Sequence, residues 1–272
     1  MPELPEVETV KRGLSPHLLN RRITGVTVRN PRLRWPIAPT LPAHLHNRTV
    51  RALDRRGKYL IVTLDNGHRV LLHLGMSGRI LVVPANTPLR KHDHVDWQLD
   101  SGEVMRFYDP RRFGAMLEWP ADDALHPLLA HLGPEPFSEA FDGDYLFKAS
   151  RARALAVKSF IMDGQIVVGA GNIYASESLF RAGVRPTRAA GKVTRAEYAR
   201  LASAIRTVLA EAIAQGGTTL RDFAGADGQS GYFQQDLYVY GREHQPCRHC
   251  GATIAKKVIG QRASFYCPGC QK

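Results

Sequence analysis

The chain has 272 residues and a hydrophobic share of 44%, which supports at least one full core and a second domain and excludes a disordered protein. Its 37 Lys+Arg against 25 Asp+Glu leave a net charge of +12, which argues for a polyanionic partner, nucleic acid ahead of membrane. No apolar run approaches the roughly 18 residues of a membrane span, and the N-terminus enters acidic, proline-containing sequence without a signal peptide, so a cytoplasmic, reducing setting with no membrane partner is expected.

The chain starts Met1-Pro2-Glu3-Leu4-Pro5-Glu6. Methionine is readily trimmed ahead of a small residue, which would leave Pro2 as a secondary amine on a rigid ring beside the Glu3 carboxyl. Such an amine can attack an electrophilic carbon and form an iminium ion. A helix follows: Pro5 suits its first turn, Glu6 and Glu8 suit the positive end of its dipole, and Leu4, Val7, Val10 and Leu14 form its apolar stripe. Gly13 and Pro16 mark its expected end. Strand-like runs come next, at Ile23–Val28 and at Lys58–Asp65. Asn66-Gly67 predicts a type I′ hairpin turn into Arg69–Leu74. Further runs at His94–Leu99 and Val104–Tyr108 are joined by Asp100-Ser101-Gly102, and Phe113–Trp119 follows. Short strands with regular turn signals predict an antiparallel sandwich or barrel up to about residue 120.

The stretch from His131 to Asp144, with Gly133-Pro134-Glu135-Pro136, reads as a connection between domains. From Tyr145 to Gln215 the pattern is helical, clearest where Leu201, Ile205, Val208, Leu209 and Ile213 recur, and Gly216-Gly217 stops it. Thr218–Tyr232, rich in Gly, Asp and Gln, reads as a long functional loop. All four cysteines lie at the end of the chain, as Cys247-x-x-Cys250 and Cys267-x-x-Cys270. This spacing suits four thiolates around one tetrahedral Zn²⁺, a structural ion with no open position for catalytic water. Two disulfides are the alternative, one that a reducing compartment disfavours. Lys256, Lys257 and Arg262 between the knuckles make the segment a candidate DNA grip.

In order along the whole chain, Pro2-Glu-Leu-Pro-Glu-Val-Glu8, Gly57-Lys58-Tyr59, His73-Leu-Gly-Met-Ser-Gly78, Lys91-His-Asp-His-Val-Asp96, Asp109-Pro-Arg-Arg-Phe-Gly114, Val168–Glu177, Gln215–Leu220 and the zinc segment resemble the bacterial formamidopyrimidine-DNA glycosylases. The resemblance implies an α+β fold of two domains, the first an antiparallel β-sandwich with an N-terminal helix. The implied boundaries are a catalytic sandwich at 1–132, a linker at 133–145, a helical DNA-binding domain at 146–235, and a zinc finger at 236–272. The helical domain would carry a helix-two-turns-helix element and a lesion-recognition loop at 216–233, and the finger would be a four-cysteine zinc β-hairpin.

The implied activity is base excision of oxidised purines from double-stranded DNA, followed by strand cleavage at the abasic site, by a monomer carrying one structural Zn²⁺. Pro2 would be the nucleophile, Glu3 the general acid/base, and Lys58 and Arg262 the groups assisting elimination. Met76, Arg111 and Phe113 would fill the void left by the flipped nucleotide. His92, Arg111, Arg153, Lys158 and Asn172 would contact DNA, and Cys247, Cys250, Cys267 and Cys270 would hold the metal. Arg151 and Arg153 stand where relatives often carry lysine, which keeps the charge and changes the contact geometry. Two other readings compete. A sister branch, the endonuclease VIII-like enzymes, prefers oxidised pyrimidines and usually has glycine where this chain has Leu4. A non-catalytic zinc-hairpin DNA-binding protein would lack a use for the Pro2-Glu3 pair.

Overall fold

The structure, a computed structural model, describes residues 2–216 and 237–272. The described residues divide into two compact units, the first running to Ala130 and the second starting at His131.

The first unit opens with α1 (Leu4–Leu18). Glu3 is its N-cap, paired with Glu6 in a capping box, and Pro5 lies in the first turn, where a missing N–H costs nothing. The helix does not stop at Gly13 or Pro16 but runs on to Leu18. An internal proline disfavours a helix by about 3 kcal/mol, yet Leu14 and Leu18 are fully buried in the core, and each large apolar side chain contributes roughly 2 kcal/mol. Burial of the stripe outweighs the local stop signal.

Eight strands follow: β1 (Ile23–Val28), β2 (Val50–Arg56), β3 (Tyr59–Leu64), β4 (Arg69–His73), β5 (Arg79–Pro84), β6 (Asp93–Leu99), β7 (Glu103–Tyr108) and β8 (Ala115–Trp119). A short helix, α2 (Leu41–Leu45), lies between β1 and β2, and α3 (Pro127–Ala130) closes the unit. The strands form two four-stranded sheets, ordered β1-β6-β7-β5 and β2-β3-β4-β8, antiparallel throughout. One core holds them together, in which Val7, Val10, Leu14 and Leu18 of α1 join Val62 and Leu72 of one sheet and Trp97 and Phe107 of the other.

The Asn66-Gly67 hairpin forms with a different turn from the one expected. Only Gly67 takes a positive φ, +79°, while type I′ needs two such residues. Gly67 donates to the Leu64 carbonyl at 3.0 Å and Leu64 to that of His68 at 2.9 Å, so the loop has three residues, Asp65 to Gly67. Asn66 spends its side chain on the His68 N–H instead, at 3.1 Å. Gly102 repeats this arrangement between β6 and β7, with φ +84° and a bond to the Leu99 carbonyl.

The second unit holds α4 (Gly143–Ser150), α5 (Val157–Met162), α6 (Asn172–Ala182) and α7 (Arg195–Ala214), then the hairpin of β9 (Ala255–Ile259) and β10 (Arg262–Tyr266). Thr194 and Glu197 cap α7 reciprocally, and Gly216, at φ +80°, follows its end. Phe160, Tyr174, Tyr198, Leu201 and Ile205 build the helical core. Phe180 of α6 packs with Val239, Ile254 and Phe265, which ties the cysteine-bearing segment to the helices. Among the described residues no helix is long and apolar enough to cross a membrane. The expected loop at 216–233 lies outside the described residues from 217 onward.

Candidate functional site

In the first unit the head of α1 sets the position of Pro2 and Glu3. Glu3 is only 3% exposed. Its N–H donates to Glu6 Oε2 at 2.8 Å while its side chain faces the Glu6 N–H, so the residue after Pro2 is fixed through backbone and side chain together. Pro2 itself is half-buried.

Lys58 occupies the two-residue turn between β2 and β3, after Gly57 at φ +56°. A relay of contacts ties this turn to α1. Arg55 donates Nε to Glu8 Oε2 at 3.0 Å and Nη1 to the Gly57 carbonyl at 3.0 Å. Burial raises the Glu8 pKa, but Lys11, Arg55 and Arg12 together outweigh it and hold the carboxyl below its ordinary value. The sequence places Glu8 at the positive end of the helix dipole and does not pair it with Arg55, because their meeting depends on α1 packing on β2.

Next to this turn, His73 ends β4 with its ring 4.8 Å from that of Tyr59. Its Nδ1 accepts the Gly75 N–H at 3.1 Å. Burial, with the charges of Lys58 and Arg34 in support, lowers its pKa to about 4, so it is neutral near pH 7. Arg34 thus joins Lys58 in one cationic neighbourhood, a role the sequence alone did not indicate.

The three residues expected to fill the void sit on two loops that touch. Gly75, at φ +64°, packs its backbone on Phe113 and Gly114 so closely that an added Cβ would lie 2.4 Å from the Phe113 carbonyl carbon. Met76 follows and is half-buried; Phe113 is 44% exposed. The Arg111 guanidinium stacks 4.9 Å from the Phe113 ring centre. Asp109, fully buried, organises both loops. Its Oδ1 accepts the Ser77 hydroxyl at 3.0 Å and the Arg111 N–H at 3.3 Å, and its Oδ2 accepts the Gly114 N–H at 2.8 Å. Its carbonyl is 2.7 Å from His94 Nε2, and its N–H donates to the His92 carbonyl at 3.0 Å. His92 is half-buried with its ring edge-on to Tyr108. Asp109 is visible in the sequence as the first residue of the Asp109–Gly114 motif, but its burial and its partners exist only in the folded chain.

In the second unit Lys158 is 1% exposed. Its ammonium donates to Asn172 Oδ1 at 2.6 Å, to Ser264 Oγ at 2.7 Å and to the Ala263 carbonyl at 3.2 Å. Asn172, the first residue of α6, adds a bond to the same carbonyl at 3.0 Å. Lys158 and Asn172 therefore clamp β10 to the helices, directly beside Arg262. Gly260 and Gln261, at φ +54° and +61°, make a two-residue type I′ turn between Ile259 and Arg262, which leaves Arg262 exposed at the hairpin tip. Arg153 is exposed next to Ala152 at φ +59°, with its carbonyl accepting the Gly191 N–H.

The four cysteine sulfurs lie within 4.8 Å of one another, with Cys247–Cys270 at 3.8 Å and Cys250–Cys267 at 3.4 Å. A tetrahedral ion with bonds of about 2.3 Å needs sulfurs about 3.8 Å apart, so the set fits zinc. The N–H groups of His249 and Cys270 point at Cys247 Sγ and Cys267 Sγ, both at 3.4 Å. A side chain at Gly269 would come within 2.9 Å of Cys250 Sγ, so this knuckle requires glycine. Burial and the neighbouring thiols push Cys267 and Cys270 up, while Cys247, despite its burial, is lowered to about 7 with the help of the Cys250 and His249 N–H groups; a cation between the sulfurs is what lets all four be thiolates together. Gln271, fully buried, bridges the Cys267 N–H and the Val184 carbonyl and anchors the cluster to the helical core.

The chain matches three family models in sequence order: the formamidopyrimidine-DNA glycosylase N-terminal domain over residues 1–116, the formamidopyrimidine-DNA glycosylase H2TH domain over 132–224, and the zinc finger found in FPG and IleRS over 245–272. It is 57% identical to the formamidopyrimidine-DNA glycosylase of Xanthomonas campestris pv. campestris, over the full length of both chains. The crystal structure of the MutM (Fpg) protein of Thermus thermophilus superimposes with a TM-score of 0.88 at 39% identity, covering 99% of this chain and 98% of that one. The Lactococcus lactis Fpg bound to DNA with an abasic site gives 0.91 at 31% identity, covering 99% of each chain. The same Lactococcus protein bound to DNA carrying N7-benzyl-Fapy-dG gives 0.92 at 31%, over all of both chains.

Proposed function

The chain belongs to the formamidopyrimidine-DNA glycosylase family, and from that membership we propose a bifunctional enzyme that excises oxidised purines, such as 8-oxoguanine and formamidopyrimidines, from duplex DNA and then cuts the strand. The observation that carries this reading is the Pro2-Glu3 pair fixed at the capped head of α1.

With Met1 removed, the Pro2 amine attacks C1′ of the damaged nucleotide. A bond forms from nitrogen to C1′, the glycosidic bond breaks, and its electron pair leaves with the base, which takes up a proton. The nitrogen then loses its proton and its lone pair opens the sugar ring: the C1′–O4′ bond breaks, O4′ takes up a proton, and an iminium forms at C1′. The iminium acidifies the C2′ proton, whose loss expels the 3′ phosphate, and loss of the C4′ proton then expels the 5′ phosphate. Glu3 carries protons to and from the sugar, a task for a carboxyl held within reach of the reacting atoms. Lys58, with Arg34 beside it, supplies positive charge for the departing phosphate, and Arg262 serves the second elimination from the hairpin tip. Met76, Phe113 and Arg111 enter the gap left by the flipped nucleotide, the apolar pair as a wedge and the guanidinium toward the orphaned base.

The first unit would carry the chemistry and the second the grip on the phosphate backbone, with DNA as the polyanion that the net charge of +12 calls for. Within that grip Arg153 contacts phosphate directly, while Lys158 and Asn172 act mainly by holding β10 and Arg262 in place. His92 supports the Asp109 loop from its edge. The working compartment would be the bacterial cytoplasm, on chromosomal DNA. A lesion panel tests the substrate class: 8-oxoguanine opposite cytosine should be excised faster than thymine glycol, and the reverse order would place the protein with the pyrimidine-directed sister branch.

A further inference from the structure

Far from the cysteines in sequence, three side chains of the first unit converge in a way that the glycosylase reading does not use. His44 lies in the last turn of α2, His68 immediately before β4, and Glu118 in β8, which pairs with β4. His44 Nδ1 is 2.8 Å from Glu118 Oε1, and the two imidazole rings lie 5.1 Å apart at 47°. One ring nitrogen from each histidine and one Glu118 oxygen all fall within 4.8 Å of each other. The second Glu118 oxygen accepts the Thr40 hydroxyl at 2.8 Å, which fixes the carboxylate. The backbone of His68 is held by its bonds to Asn66 and Leu64.

One atom here is out of balance. His68 Nε2 is buried and has no hydrogen-bond partner among the described residues. A buried polar nitrogen left unmade costs about 1–3 kcal/mol, and most such groups in folded chains answer to a water or an ion. The neighbouring cation, Arg69, stacks 3.8 Å from the Trp119 ring centre and donates Nη2 to the Asp123 carbonyl, while its Nε is likewise buried without a hydrogen-bond partner among the described residues.

We propose that His44, His68 and Glu118 form a second metal site, which takes a borderline divalent ion of the Zn²⁺ class. Two imidazoles and one carboxylate are the donor set such ions prefer, at bond lengths of about 2.0–2.2 Å. Tetrahedral bonds of that length bring donors to about 3.4 Å from one another, a value inside the present range, which runs from 2.8 Å between His44 and Glu118 to no more than 4.8 Å. The half-exposed His44 leaves the remaining position open to water. The ion would give His68 a partner and pin α2 to the β4–β8 pair, independently of Pro2 and of the cysteine cluster.

The test uses the full-length protein loaded with one zinc per chain, titrated with Zn²⁺ by calorimetry, with metal content measured after gel filtration. Wild type should take up a second equivalent. His44→Ala and His68→Ala should stay at one, and Glu118→Gln should bind the second ion at least tenfold more weakly. His44 is half-exposed, so its variant remains informative even if His68→Ala fails to fold. A wild type that stops at one zinc, or a second equivalent that survives in His44→Ala, overturns the assignment.

Discussion

Glu3 does two things at one position: it caps α1 and stands next to the amine. Capping needs only an acceptor oxygen, whereas proton transfer needs a titratable group. Glu3→Gln should therefore change stability by less than about 1 kcal/mol, while excision falls roughly 10²- to 10⁴-fold. Urea unfolding beside single-turnover excision separates the two; a variant that excises at the wild-type rate would remove Glu3 from the chemistry. His73 makes a pH argument at the same scale. Its pKa is about 4 in the folded chain against 6.5 in the unfolded one. Between those values the unfolded chain binds the extra proton, so stability is lost as pH falls from 6.5 to 4. The urea midpoint of wild type should drop more steeply across that window than that of His73→Asn. Equal slopes would show that His73 is not held neutral by the fold.

At the scale of elements, the proposed wedge depends on Asp109, which gathers the Ser77, Arg111 and Gly114 donors into one buried carboxylate. Asp109→Asn puts an amide donor where one of those donors points, at a cost of about 1–3 kcal/mol for the group left unpaired. The loops of Met76 and Phe113 then lose their common anchor. Lesion excision from duplex should fall at least tenfold, while covalent trapping on a single-stranded abasic site, which needs no wedge, should stay near wild type. Parallel loss of both would mark Asp109 as merely structural. The Gly57-Lys58 turn and the loop Met76-Ser77-Gly78 could be read as motifs in the chain, but what anchors each, the Arg55 bond to the Gly57 carbonyl and the Ser77 bond to Asp109, could not. Hubs such as Asp109 and the Glu8–Arg55 relay exist only once separate elements have packed. Local signals also misled. Pro16 reads as a helix stop, yet the burial of Leu18 carries α1 past it, and Asn66 reads as a left-handed turn residue, yet it bonds to the His68 N–H instead.

At the scale of the whole molecule, charge and the cysteine spacing were legible at once, because both are properties of composition and short-range order. The antiparallel strands were legible where apolar residues alternate, and not at β5, Arg79–Pro84, nor at β2, Val-Arg-Ala-Leu-Asp-Arg-Arg, whose charges hide a strand that pairs with β3 on both sides of a bulge at Arg51. The convergence of His44 with Glu118, 74 residues apart, left no mark in the sequence at all. The zinc cluster is tied to α6 and to Val184, and through them it would organise the grip proposed for the second unit. Zinc removal by a strong chelator should lower affinity for undamaged duplex at least tenfold, and added Zn²⁺ should restore it, since such ions supply the folding energy of small fingers. Unchanged binding without zinc, measured by fluorescence anisotropy, would detach the hairpin from DNA recognition.

The central claim is that the amine of Pro2 becomes bonded to the sugar. Borohydride reduction during reaction with abasic-site DNA, followed by tryptic digestion and mass spectrometry, reads the attachment point directly. The reduced sugar remnant should lie on the N-terminal peptide Pro2–Lys11, and neither Pro2→Gly nor a chain that keeps Met1 should give that adduct at the wild-type yield. A remnant on Lys58 or another lysine, or no adduct at all, would contradict the account.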